Sequence, residues 1–143
     1  MTEQAAVLAT LEEYAAAYCS KDIDRQMALF DDGDDISLIG TGADELCAGR
    51  ADVRAVFLRN FAAATATKFQ WHWKHVTMRH DCAVVAVSLT IHLETDTGPL
   101  QVPVRWTVSL IMRDGEWKWL HRHASSAAGS QKGGAAYPME NSD

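Results

Sequence analysis

The sequence predicts an α+β domain in which a cone-like, curved antiparallel sheet wraps around three N-terminal helices. Three observations carry this. The first part of the chain places apolar residues at helical spacing. The remainder resolves into four long runs of period-two alternation separated by short polar turns. Asp114-Gly115 stands between two β-branched and aromatic runs, the strongest short-range hairpin signal. Helices first and strands after, each strand with one apolar face, pack as a sheet over helices.

In chain order, residues 3 to 19 are rich in Ala, Leu and Glu, and Val7, Leu8, Leu11, Tyr14, Ala15 and Tyr18 form one stripe. Thr2 is placed to cap this helix and Asp22 to cap a short second one ending near Phe30. Asp31 to Asp35 form a turn, Ile36 to Ile39 a short strand, and Gly40 to about Gly49 a loop. Ala51 to Ala64 read as a third helix that buries Val53, Val56, Phe57, Asn60 and Phe61. Strands follow at about 68–79, 82–95, 101–113 and 116–126, broken at His80-Asp81, at Asp96-Thr97-Gly98-Pro99 and at Asp114-Gly115. The domain is expected to span residues 1–127. Residues 128–143, dominated by small and polar side chains, are expected to form a flexible tail.

Composition narrows the function classes. The chain has 143 residues, 48% hydrophobic and 22% charged, which suits one globular domain. A net charge of −6 argues against a nucleic-acid partner, which would need a basic face. Cys19, Cys47 and Cys82 are odd in number and lack metal-ligand spacing, so reduced, mostly buried thiols in a cytoplasm are expected. The acidic N-terminus does not read as a signal peptide, and no apolar stretch reaches the roughly 18 residues that a membrane span requires.

The element order, closing on Arg105-x-Thr107, Arg113-Asp114-Gly115-x-Trp117 and His121-x-His123-x-Ser125, resembles the nuclear transport factor 2-like superfamily, a cystatin-like roll. Within it the chain is similar to the SnoaL-like proteins and to the association domain of calcium/calmodulin-dependent protein kinase II. The resemblance covers about residues 3–126, and Thr107 to Ser125 is its specific part. It implies a pocket at the open end of the sheet and commonly a two-fold dimer, and no cofactor. The superfamily includes isomerases, dehydratases, cyclases, transport factors and assembly hubs, so the fold alone does not give the function.

Against ketosteroid isomerase, Tyr14 matches the oxyanion tyrosine. The base strand, however, offers only Ser37, Leu38 and Ile39, and no acid lies between Arg105 and Ser109. That chemistry is therefore rejected. SnoaL-type enzymes use histidine in acid–base work, the natural residue near neutral pH. Regular pairing across the two hairpin turns sets Trp106 opposite His123, Val108 opposite His121 and Leu89 opposite His72. His123 and His72 are then the candidate catalytic residues, unless a bulge in either hairpin reverses the faces. The expected pocket lining is Tyr14, Tyr18, Leu89, Trp106, Val108 and His121. In the kinase association domain this pocket is basic. The matching positions here are Leu89, Val108 and Ala124, which implies a more apolar cavity for a small apolar or aromatic ligand. A metal on His121, His123 and His72 lacks its remaining ligands, and Asp31 to Asp35 lack the pattern of a calcium loop.

The opposite alternation carries Trp71, Trp73, His75, Arg105 and Arg122, a mixed aromatic and polar face that reads as a homodimer surface. Two functions are thus open: a small-molecule pocket protein working as a lyase, isomerase or cyclase, and a non-catalytic dimerisation or assembly module.

Overall fold

Helix α1 (Glu3–Cys19) begins where Thr2 accepts a hydrogen bond from the Ala5 amide at 3.0 Å. Its buried residues, Val7, Leu11, Tyr14 and Ala17, recur every three or four positions and so share one face. Asp22 caps α2 (Ile23–Ala28) by accepting from the Arg25 amide at 3.1 Å. Short strands β1 (Ser37–Ile39) and β2 (Leu46–Ala48) precede α3 (Arg50–Ala63). The long strands are β3 (Thr65–Arg79), β4 (Cys82–Thr95), β5 (Gly98–Arg113) and β6 (Glu116–Ser125). This computed structural model describes residues 1–139.

The six described strands form one sheet in the order β2-β1-β6-β5-β4-β3. β3 to β6 make the expected antiparallel meander, but β1 lies parallel to β6, so the sheet is mixed. Side-chain alternation records which face a strand buries, not which strand it pairs with, so the parallel edge was hidden in the sequence. β2 fell inside the expected loop because three residues carry no usable period. Residues 126–139 contain no helix or strand and are largely exposed; the end of the expected tail, 140–143, lies outside the described residues.

Asp114 and Gly115 form a two-residue turn between Arg113 and Glu116, with φ of 52° and 81°. Positive φ at both positions gives the twist that suits a tight hairpin, and Gly115 adopts it without a side-chain clash. The predicted turn is therefore present. The predicted register holds only next to it. Trp119 pairs with Leu110 but His121 pairs with Ser109, which leaves Leu120 as an extra residue in a β-bulge. A second irregularity, between Trp71 (opposite Leu89) and Trp73 (opposite Ser88), makes His72 the extra residue of β3. Each bulge shifts the alternation of the strand beyond it by one.

The core lies between the concave sheet face and the helices. Val85, Val87 and Leu89 of β4, Val104, Trp106, Val108 and Leu110 of β5, and Trp117 and Trp119 of β6 are all buried. Trp119 is the keystone: its ring stacks on Tyr14 at 4.9 Å and its Nε1 donates to Thr10 Oγ1 at 2.9 Å. Arg50 fastens α3 to α2, donating to the carbonyls of Asp31 at 2.7 Å and Met27 at 3.2 Å. Arg113 Nε donates to buried Asp31 at 2.7 Å. The Gly33 amide, more than this arginine, holds the Asp31 carboxyl below the usual range. The thiols are free; Cys19 and Cys47 are half-buried and Cys82 is exposed at the start of β4, so the expectation of mostly buried cysteines fails.

Candidate functional site

At the end of the sheet away from the Asp114-Gly115 turn, a cavity of about 230 Å³ opens between the sheet, α1, α3 and the loop joining β1 to β2. Its apolar wall comes from Ile91, Leu93, Val102, Val104 and Ala124, and its aromatic wall from Tyr14, Tyr18 and Trp106. The alternation of β4 and β5 requires this: the residues facing the core elsewhere on these strands face the cavity here. Gly40, Thr41 and Glu45 of the loop and Asn60 of α3 complete the lining.

Arg122 is the unexpected member. It is only 8% exposed and borders the cavity. Nη1 donates to the Tyr14 hydroxyl at 2.8 Å and Nη2 to the Ile39 carbonyl at 3.3 Å. The guanidinium also lies 5.3 Å from the Trp106 ring centroid, a cation–π distance. Its Nε is buried without a hydrogen-bond partner. Among the described residues Arg122 forms no salt bridge. Burial pushes the Tyr14 and Tyr18 phenols well above their ordinary range, although Arg122 partly opposes this, so both rings stay protonated.

Glu45 is the cavity's carboxylate. Its Oε1 accepts from the Gly42 amide at 2.7 Å, and Oε2 lies 3.1 Å from Arg59 Nη2. Arg59 also holds Asp44 at 2.8 Å. These contacts tie the loop to α3 at the cavity wall.

The predicted site residues are therefore redistributed. Of the residues named for the pocket, Tyr14, Tyr18 and Trp106 border this cavity. Leu89 and Val108 face inward but are buried in the core without lining it. His123 is exposed and pairs with Thr107, not Trp106, on the outer face. His121 lies half-buried on the same face, with Nδ1 2.7 Å from Ser37 Oγ. His72 is exposed, with Nε2 2.8 Å from Thr90 Oγ1. The cavity is thus lined by none of the six histidines. The cause is the bulge at Leu120, which turns Arg122 and Ala124 inward and both β6 histidines outward.

The expected dimer face is corrected by the same reasoning. Arg122 belongs to the interior. So does Trp71, whose ring meets Trp106 at 6.0 Å and Phe69 at 5.9 Å. Trp73, His75 and Arg105 do face outward and are exposed. An arginine also enters the cavity from position 122, which the expectation of a more apolar cavity did not include. Glu45 enters from the loop, where the sequence offers an acid at Asp44-Glu45 that could reach in but no periodicity to place it. Val102, Val104 and Ile91 were not among the expected lining residues although their alternation was readable.

A larger depression of about 460 Å³ lies outside the cone, bordered by Met27, Arg50 and Arg54, but it has no aromatic wall. Among the described residues no cluster of three or more His, Cys, Asp or Glu is placed to hold a metal. No described helix is long and apolar enough to cross a membrane.

A curved sheet around three helices, with a lined cavity at its open end, is the architecture of the nuclear transport factor 2-like class, and solved structures agree. A provisionally named calcium/calmodulin-dependent protein kinase II association domain from Xanthomonas campestris superposes with a TM-score of 0.79 at 23% identity, covering 90% of this chain and 91% of that one. A provisionally named dehydratase of the same class from Streptomyces avermitilis gives 0.76 at 18% identity, covering 89% and 98%. A provisionally named aromatic ring hydroxylase from Novosphingobium aromaticivorans gives 0.77 at 18% identity, covering 88% and 90%. At these identities the likeness is one of fold. The SnoaL-like domain family matches residues 7–129, and the chain belongs to it. No curated protein matches the chain.

Proposed function

We propose that this SnoaL-like domain binds a small, partly aromatic molecule in the cavity bordered by Tyr14, Trp106 and Arg122. The observation that carries this is the lining: apolar and aromatic walls with a few convergent polar groups, the usual design of a small-ligand site. A lyase, isomerase or cyclase activity at this site would draw its proton-transfer group from Glu45 or Tyr14, because no histidine borders the cavity. Ligand-observed NMR with small neutral aromatics such as phenol and benzamide tests the reading. Binding to the wild type that disappears in Ala124→Trp, which fills the cavity, is the expected result. Equal binding by both proteins, with the variant folded by circular dichroism, would overturn it.

A second reading concerns the outer face. Trp73 is 55% exposed and its ring stacks on His75 at 6.1 Å. An exposed aromatic pair on a sheet already covered on its other side suits a homodimer contact. Light scattering at micromolar concentration is expected to give a dimer that Trp73→Glu dissociates; a monomeric wild type removes this reading. Three free thiols fit a cytoplasmic location.

A further inference from the structure

We infer that the cavity selects a small monocarboxylate on a single-ring body, its one carboxylate held by Arg122 and Tyr14. The inference rests on the cavity being a ligand site. It begins from a deficit. A guanidinium taken out of water needs a counter-charge and a full set of acceptors. Arg122 has neutral partners only, the Tyr14 hydroxyl and the Ile39 carbonyl, and its buried Nε has none.

Tyr14 deepens the asymmetry. Its oxygen accepts from Arg122, so its own O–H remains free to donate. This corner of the cavity thus presents donors and positive charge. A carboxylate supplies two acceptor oxygens and one negative charge, in the planar geometry that a guanidinium fork matches.

Glu45 limits the charge of the ligand. Its oxygens are already engaged by the Gly42 amide and Arg59, and it borders the same cavity. One ligand charge is matched by Arg122; a second would find only this carboxylate in the lining, so dicarboxylates and phosphate dianions are disfavoured. Size fixes the body: an apolar cavity of about 150 Å³ takes a benzene, and this one is about 230 Å³.

Isothermal titration calorimetry of the full chain with benzoate, benzamide and terephthalate tests the inference. Benzoate should bind about tenfold or more tighter than benzamide, the difference expected from one buried charge-assisted hydrogen bond. Terephthalate, with its second charge, should bind weaker than benzoate. Arg122→Gln should abolish the preference, reducing benzoate to the level of benzamide. Benzamide binding as tightly as benzoate in the wild type overturns the inference without needing any variant. So does full benzoate affinity in Arg122→Gln. If neutral aromatics bind and acids gain nothing, the charge selection falls and the ligand site stands. If neither binds, both fall.

Discussion

Strand β6 has two halves with opposite alternation. From Glu116 to Trp119 the odd-numbered residues are buried; beyond Leu120 the even-numbered ones are. The first half is fully satisfied: the Trp119 ring packs on Tyr14 and Phe30, and its N–H finds Thr10. The second half turns Arg122 inward with one N–H unmet. One extra residue thus separates a segment whose contacts all serve the fold from one that carries an unsatisfied charge into a cavity. Polar groups left short of partners in a core are destabilising, and Arg122 differs from the other such group among the described residues, the Gln26 amide, in bordering a cavity that a ligand can enter.

The largest expected effect tests the first half. Trp119→Ala removes a fully buried ring that joins α1 to the sheet, and a loss of about 3–5 kcal/mol is expected from transfer and cavity terms. Urea unfolding measures it. A loss under about 1 kcal/mol would mean that the helices are anchored elsewhere and that the contrast between the halves is false.

Arg122→Met tests the second half and should change stability by no more than about 1 kcal/mol in either direction. Removing an uncompensated buried charge is favourable, while the Tyr14 hydroxyl and Ile39 carbonyl each lose a donor worth about 1 kcal/mol. The same unfolding measurement decides. A loss above about 3 kcal/mol would make Arg122 a structural strut and remove the contrast.

The same division explains what could be read in advance. The helices, both side-chain caps and the Asp114-Gly115 turn follow from local chemistry, and they were legible. The faces of β4 and β5 were legible too, because those strands pair without interruption across the core. The cavity's polar groups were not. Whether Arg122 or His123 points inward depends on one extra residue at Leu120, and a bulge leaves no local signature in a run such as Trp119-Leu120-His121. Glu45 reaches the cavity through a loop whose course is set by Gly42 and Arg59, contacts that no periodicity encodes.

The smallest expected effect concerns the outward side of the second half. His121 is packed against Ser37 across the parallel β1–β6 edge. Burial holds its imidazole below the ordinary value of 6.5; hydrogen bonding with Ser37 opposes the shift, and His123 and Arg122 add to it. The unfolded chain therefore takes up the proton first as pH falls. The stability associated with neutral His121 is complete above about pH 6.5 and erodes as the pH drops from there through the lower folded-state value. Thermal unfolding between about pH 7.5 and pH 5 should show a shallower decline for His121→Gln than for the wild type. Parallel profiles would place the acid sensitivity elsewhere. A difference would show that the bulge, by turning this imidazole outward onto the β1 edge, gave it a structural role at the seam where the short strand joins the meander.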